Sequence, residues 1–221
     1  MTYSLSPHSL GLYKDCPRCF YLSLNKKIER PSGPFPSLPS GMDMVIKKYF
    51  DSHREHGTVP QELNGIDVKL YDNIKEFKTW RNNRKGIEWI DEEQNKLHGA
   101  IDDLLIASSN KLIVLDYKTR GFPLKEETPF YYQDQLTIYN FLLRKKGFST
   151  KDYSYLLFYY PSHIDTDGKV AFHTRLVELQ TPNVDLVEKN FYEAIRVLRQ
   201  KKAPKQSDKC NFCNWTKKIK V

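Results

Sequence analysis

Apolar residues recur at two distinct spacings along this chain. Val184, Val187, Phe191, Ala194, Ile195 and Leu198 repeat three to four positions apart with charged residues between them, which predicts a helix with one buried face. Residues 130–145 and 42–53 carry the same helical pattern, and Ser6-Pro7 reads as an N-cap followed by the preferred first helical residue, opening a helix to about residue 21. Runs rich in β-branched and aromatic residues predict strands over 87–91, 96–107 and 111–118, the last two joined through Ser108-Ser109-Asn110. A long hairpin is expected from 153–160 and 170–179, around the loop that holds Asp167-Gly168. Residues 31–41 (PSGPFPSLPSG) contain four prolines and are expected to be a loop that cannot be helical. The stretch 58–85 reads as a strand followed by irregular or helical structure. Strands flanked by helices on both sides predict an α/β (α+β) domain built on a mixed sheet.

Composition narrows the setting. With 221 residues, 39% of them apolar and 13% aromatic, the chain can bury a substantial core and is not a disordered polymer. The net charge of +8 is spread over Lys26-Lys27, Arg81 to Lys85, Arg144 to Lys146, Lys201-Lys202 and Lys217-Lys218. Such an excess suits either a well-solvated surface or a polyanionic partner. The first dozen residues lack the basic start and apolar centre of a secretory leader, and the longest apolar run, about 155–160, is too short to cross a bilayer. The expectation is a cytoplasmic protein with no membrane partner.

The cysteines form two pairs, Cys16-x-x-Cys19 near the start and Cys210-x-x-Cys213 near the end. In a reducing compartment two such pairs point to a metal site before two disulfides. Four thiolates satisfy Zn²⁺ or a [4Fe–4S] cluster, and a shared site would clasp residues 1–30 and 203–221 into one metal-binding lobe. Phe20, Tyr21, Phe212 and Trp215 are placed to pack around it.

The remaining chemistry lies in two strings a dozen residues apart. Gly99-Ala-Ile-Asp102-Asp103 precedes an apolar run, and Leu112-Ile-Val-Leu-Asp116-Tyr117-Lys118 follows the turn after it. Leu112 to Leu115 are apolar on both faces, as in a strand central to a sheet. In an extended strand alternate side chains share a face, so Asp116 and Lys118 project together. An acid and an amine at the end of a buried strand are costly unless they serve each other, a metal or a substrate. A structural ion pair would explain these two alone; Asp102 beside them favours a site. Asp103 points the other way from Asp102, so one of the two is expected to be simply solvated.

These features resemble the RecB-like branch of the PD-(D/E)xK nuclease superfamily, and within it the CRISPR-associated exonucleases that carry an iron–sulfur cluster. Asp102 matches the first acid of the branch's G-x-x-D, Asp116-x-Lys118 its (D/E)-x-K, and Gln135-Leu-Thr-Ile-Tyr139 its Q-x-x-x-Y, while Tyr13-x-x-Cys16-Pro-Arg and the closing cysteines match the cluster ligands. The resemblance implies one restriction-endonuclease-like domain over 1–221, a mixed central sheet flanked by helices, with its ends joined by the four-cysteine site. It further implies one or two Mg²⁺ or Mn²⁺ ions held by Asp102, Asp116 and the Tyr117 carbonyl. Lys118 would act on the attacking water or the developing charge, and Gln135 and Tyr139 would point at the site from one helix face. The implied substrate is DNA, single-stranded or at duplex ends, with partners in repair, recombination or CRISPR adaptation. The implied cofactor at Cys16, Cys19, Cys210 and Cys213 is [4Fe–4S], with zinc as the alternative. Two departures stand out. The branch's G-x-x-x-H would place a metal-ligating histidine where Gly41-Met-Asp-Met-Val45 has valine, and Asp43 is expected to turn away from that face. The cysteines are split two and two instead of one and three. A second reading is therefore a non-catalytic nucleic-acid-binding module that keeps the fold around a structural metal.

Overall fold

The computed structural model describes residues 1–218, so the last three positions of the 203–221 segment lie outside the described residues. Along the chain the helices are α1 (Pro7–Asp15), α2 (Pro17–Lys26), α3 (Ser37–Glu55), α4 (Ile74–Trp80), α5 (Gln133–Lys145), α6 (Leu186–Leu198) and α7 (Asn211–Lys218). The strands are β1 (Ser4–Leu5), β2 (Val68–Leu70), β3 (Ile87–Ile90), β4 (Lys96–Gly99), β5 (Asp103–Ala107), β6 (Leu112–Thr119), β7 (Tyr153–Ile164) and β8 (Val170–Gln180). The chain divides into two compact units, one of Met1–Pro34, Trp89–His98 and the segment from Asp185 onward, the other of Phe35–Glu88 and Gly99–Val184.

In the first unit Ser6 caps α1 with a reciprocal pair of bonds. Its hydroxyl accepts from the Ser9 N–H at 3.3 Å, and the Ser9 hydroxyl accepts from the Ser6 N–H at 2.7 Å. The helix expected over 7–21 is two helices. Pro17 disfavours the helical conformation for the residue before it, so Cys16 is extended at φ −156°, ψ 105°, and α2 restarts with proline at its first position. α6 buries Val187, Phe191, Ala194, Ile195 and Leu198, the stripe its periodicity predicts. β1 pairs parallel with β4 through Ser4–Lys96 and Leu5–Leu97 in a small sheet ordered β1-β4-β3.

The second unit holds a five-stranded mixed sheet ordered β2-β5-β6-β7-β8, in which only β6 and β7 run parallel. β6 is central, and Leu112 to Leu115 are buried on both faces as expected. One face packs Leu105, Ile113, Leu115, Tyr117 and Leu157 against Ile46 and Phe50 of α3. The alternate residues Leu104, Val114, Leu156 and Phe158 are equally buried, and α5, with Leu136, Tyr139, Leu142 and Leu143 inside, packs against β6. α3 begins inside the stretch expected to be loop: Pro39 sits in its first turn, where a missing N–H costs nothing. The strand expected over 96–107 is two strands, because the chain leaves the β4 direction at Ala100 to Asp102 before β5 begins. Gly86 stands against this break with φ +65°, and a Cβ there would lie 2.3 Å from the Gly99 carbonyl oxygen, so only glycine fits.

Asp103 is fully buried, so it is not a solvated member of the Asp102-Asp103 pair. Arg54 ion-pairs with its Oδ1, Arg81 with Oδ2 at 3.1 Å, and the Tyr117 hydroxyl donates to Oδ2 at 2.5 Å. Sequence alternation shows that Asp103 and its neighbour face opposite ways, but not which face is dry. Removing this carboxylate leaves the buried Arg54 guanidinium with Asp51 and the Tyr71 carbonyl only, and takes from Arg81 one of its two acids. Asp103→Ala is expected to lower unfolding free energy by about 3–5 kcal/mol, measured by urea denaturation. A loss below about 1 kcal/mol would mean that the arginines are balanced elsewhere.

Candidate active site and metal centre

β5 pairs with β6 only as far as Asp103–Leu115, while β6 continues through Thr119 paired to β7 alone. The two strands part there, because the Ile101 N–H is drawn away to the Trp80 carbonyl at 3.1 Å. The edge of β6 from Asp116 to Lys118 is thereby left open on one side. Tyr117 directs its N–H across this opening to Asp102 Oδ2 at 3.3 Å, and the carbonyl of one strand residue leaves on the same side as its N–H.

Asp116 and Lys118 share a face, as their spacing predicts, and their side chains form an ion pair. Gln135, in the first turn of α5, donates to Asp116 Oδ1 at 3.1 Å and lies 3.0 Å from the Tyr139 hydroxyl. The i,i+4 spacing therefore places both residues on the helix face turned to Asp116. The Lys118 ammonium also lies 4.6 Å from the centre of the Tyr132 ring. Asp116 is 1% exposed, whereas the side chains of Lys118 and Asp102 keep 18% and 20% of their surface open. The site thus opens through the lysine and the first acid.

Val45 is exposed and takes no part. Lys47, one half-turn further along α3, reaches Asp102 Oδ1 and Asp43 Oδ2, both at 2.8 Å. Asp43 does lie on another face of α3 than Val45, but it is the Val45 face that meets solvent, and the i,i+4 pair with Lys47 places Asp43 at the edge of the acid group. Sequence reasoning missed Lys47. The Asp43–Lys47 spacing is visible in the chain, but its link to Asp102 is long-range.

Burial, then the neighbouring charge of Asp102, pushes the Asp116 carboxyl up to about 7, with Lys118 pulling the other way. For Lys118 burial favours the neutral amine, yet Asp116 and Asp102 outweigh it and hold the ammonium above its ordinary range. Lys47 behaves alike: Asp102 and Asp43 overcome its burial and raise it. Tyr139 is raised by burial and by Asp116.

In the first unit the four cysteines come together, all buried, with their sulfurs within 4.8 Å of one another. Cys16 caps α2 and Cys210 immediately precedes α7, so each C-x-x-C spans the first turn of a helix. The Ser207 N–H points at Cys16 Sγ at 3.4 Å, and Arg30 Nη2 lies 3.3 Å from Cys210 Sγ while its guanidinium also pairs with Asp15 at 2.5 Å. Burial would raise the Cys16 thiol, but the backbone donors at Ser207 and Cys19 outweigh it and bring it down to about 7. These four residues can hold a metal or a cluster.

A family model described as the PD-(D/E)XK nuclease superfamily matches residues 43–217. The chain belongs to this superfamily. Over 61 residues it is 38% identical to the uncharacterized protein RT0391 of Rickettsia typhi, an alignment covering 28% of this chain and 7% of that protein. The chain thus spans only a small part of that relative. The crystal structure of SSO0001 superposes on 92% of this chain and 80% of its own with a TM-score of 0.43 and 15% identity.

PD-(D/E)XK nucleases use divalent metals, and the acids at the end of β6 fit such an ion. Asp102 and Asp116 offer hard oxygen donors on the open side of the strand. Asp116 Oδ2 is buried and, among the described residues, has no hydrogen bond of proper geometry beyond its ion pair with Lys118. A cation there would satisfy that oxygen and relieve the repulsion between the two carboxylates.

Two outcomes follow for the isolated protein. A cation at Asp116 must displace the proton that this carboxyl retains below about pH 7, so Mn²⁺ affinity should fall as the pH drops through that value. Calorimetry in buffers of different ionisation enthalpy should show about one proton released per ion at acidic pH and close to none at alkaline pH. Affinity that is flat across the range would remove the link to Asp116. Lys47→Met should tighten Mn²⁺ binding several-fold, up to about tenfold, by deleting a positive charge beside Asp102; weaker binding would show that Lys47 supports the ion.

Proposed function

We propose that this protein is a divalent-metal-dependent deoxyribonuclease of the RecB-like type, hydrolysing phosphodiester bonds in single-stranded DNA or at duplex ends. The observation that carries the reading is the convergence of Asp102, Asp116 and Lys118 on the open edge of β6, beyond its last pairing with β5. Asp102, Asp116 and the Tyr117 carbonyl would hold Mg²⁺ or Mn²⁺. The ion would supply charge neutralisation at the phosphate and a more acidic water.

The residues divide the remaining work. Lys118 is kept charged by the acids beside it, so it acts as a donor and not as a base. Its role is to orient the attacking water and to oppose the negative charge that builds on the phosphate. Gln135 fixes the Asp116 carboxylate from the α5 side, and Tyr139 fixes Gln135, which makes both positioning residues. Phe122, Phe130 and Tyr131 are exposed on the segment between β6 and α5, beside Tyr132, which stacks under the Lys118 ammonium. Exposed rings on the segment that leads into the site suit stacking of unpaired bases, which supports the single-strand preference. The +8 net charge supports a polyanionic substrate. The resemblance to cluster-bearing CRISPR-associated exonucleases supports a setting in DNA repair, recombination or CRISPR adaptation.

End-labelled single-stranded and blunt duplex DNA, incubated with Mg²⁺ or Mn²⁺, should be shortened by the wild type. Asp116→Asn and Lys118→Met should each lose at least about 100-fold in rate while remaining folded by circular dichroism. Equal residual cleavage by all three proteins would overturn the nuclease reading, and retained DNA binding in that case would identify a non-catalytic binding module.

A further inference from the structure

The sulfur geometry of the cysteine centre separates the two cofactors that its ligand count allows. We infer that Cys16, Cys19, Cys210 and Cys213 hold one tetrahedrally bound zinc ion and not an iron–sulfur cluster. Cys19 Sγ lies 3.5 Å from Cys213 Sγ and 3.6 Å from Cys210 Sγ, Cys16 Sγ lies 4.0 Å from Cys213 Sγ, and no pair exceeds 4.8 Å. A tetrahedron with zinc–sulfur bonds of about 2.3 Å has edges of about 3.8 Å, in the middle of these values.

A [4Fe–4S] cluster places each cysteine on a different iron at the corner of a cube, which drives the ligand sulfurs to roughly 6 Å apart or more. No pair here reaches that separation. A [2Fe–2S] centre fails as well, because its two cysteine pairs sit on separate irons and only the sulfurs within a pair are close. The cage admits one ion. The distances are also far longer than the roughly 2.05 Å of a disulfide.

The surroundings match a closed structural site. Both C-x-x-C segments use the same local fold, with the Phe20 N–H donating to the Cys16 carbonyl and the Asn214 N–H to the Cys210 carbonyl, each at 3.0 Å. Two thiolates thereby sit on the first turn of each of two helices, where N–H groups favour negative charge. Four thiolates on a divalent ion leave an excess of about two negative charges, and Arg30 and the Ser207 N–H offset part of it at the sulfurs. Between single ions of this geometry, a thiolate site binds zinc more tightly than ferrous iron. The inference stands apart from the nuclease reading, because it concerns other residues.

Full-length protein purified without oxygen from cells supplied with both iron and zinc tests it directly. Elemental analysis is expected to give one zinc per chain with no acid-labile sulfide, in a colourless protein. Exchange with Co²⁺ should then produce the intense visible bands of a tetrahedral tetrathiolate. Iron and sulfide at about four each per chain would establish the cluster, and one iron without sulfide a mononuclear iron site; a metal-free protein with four reactive thiols would show no site at all. Each of these three results overturns the inference.

Discussion

A carboxylate shut away from water must find its countercharge within the protein, and Asp103 finds it in Arg54 from α3 and Arg81 from the end of α4. Both arginines also engage Asp51, and their guanidiniums lie 4.5 Å and 4.3 Å from the Phe77 ring centre. Four separated segments are thus held to one buried point, since the Tyr117 hydroxyl brings β6 into the same network. Burying these charges is costly, and an incomplete set would cost more than an apolar core. The network therefore specifies one arrangement of α3, α4, β5 and β6. Arg81 carries this constraint into the site: its Nε donates to the Asp102 carbonyl at 2.9 Å and fixes the backbone where β5 parts from β6.

Strand alternation then divides neighbouring residues between structure and chemistry. Asp103 and Tyr117 point to the α3 face, where they are donors and acceptors in a closed set. Asp102 and Asp116, one position before each, are turned to the open edge and to α5. A shift of one residue in either strand would exchange the two roles and bury the wrong acid. The fully paired Asp103–Leu115 step, immediately before the strands separate, is what holds this register.

The parts of this arrangement that were legible in the chain are those with a local signal. The apolar run of β6, the long hairpin of β7 and β8 and the buried stripe of α6 follow from periodicity, and the superfamily could be recognised because its motifs are short strings, Asp116-x-Lys118 on β6 and Gln135 to Tyr139 on α5, each readable within one element. Proline misled twice, in opposite directions. Pro17 cut a helix that the Ser6-Pro7 start signal was expected to open as far as residue 21, and Pro39 sat harmlessly in a first turn that composition assigned to loop. Arg54, Arg81 and Lys47 could not be read as partners of Asp103 and Asp102, because each contact spans 20 or more positions and charged residues on helices usually face solvent. The pairing of the cysteines was visible in their spacing, whereas the distance between sulfurs, which discriminates between cofactors, is a property of the folded chain alone.

The contrast between the two acid groups explains why only one of them suits a metal. Around Asp103 the donors are complete, and a cation would have nothing to replace. At the open edge Asp43, Asp102 and Asp116 face two ammonium groups, Lys47 and Lys118, which leaves about one negative charge uncompensated. Burial makes that deficit expressible as a proton retained by Asp116 near neutral pH. One divalent ion together with one phosphodiester anion would bring the group to neutrality. A second ion would leave a surplus of positive charge beside two lysines, in a setting where Coulomb terms are weakly screened. The Lys47 ammonium, ion-paired with both Asp102 and Asp43, would add to that surplus.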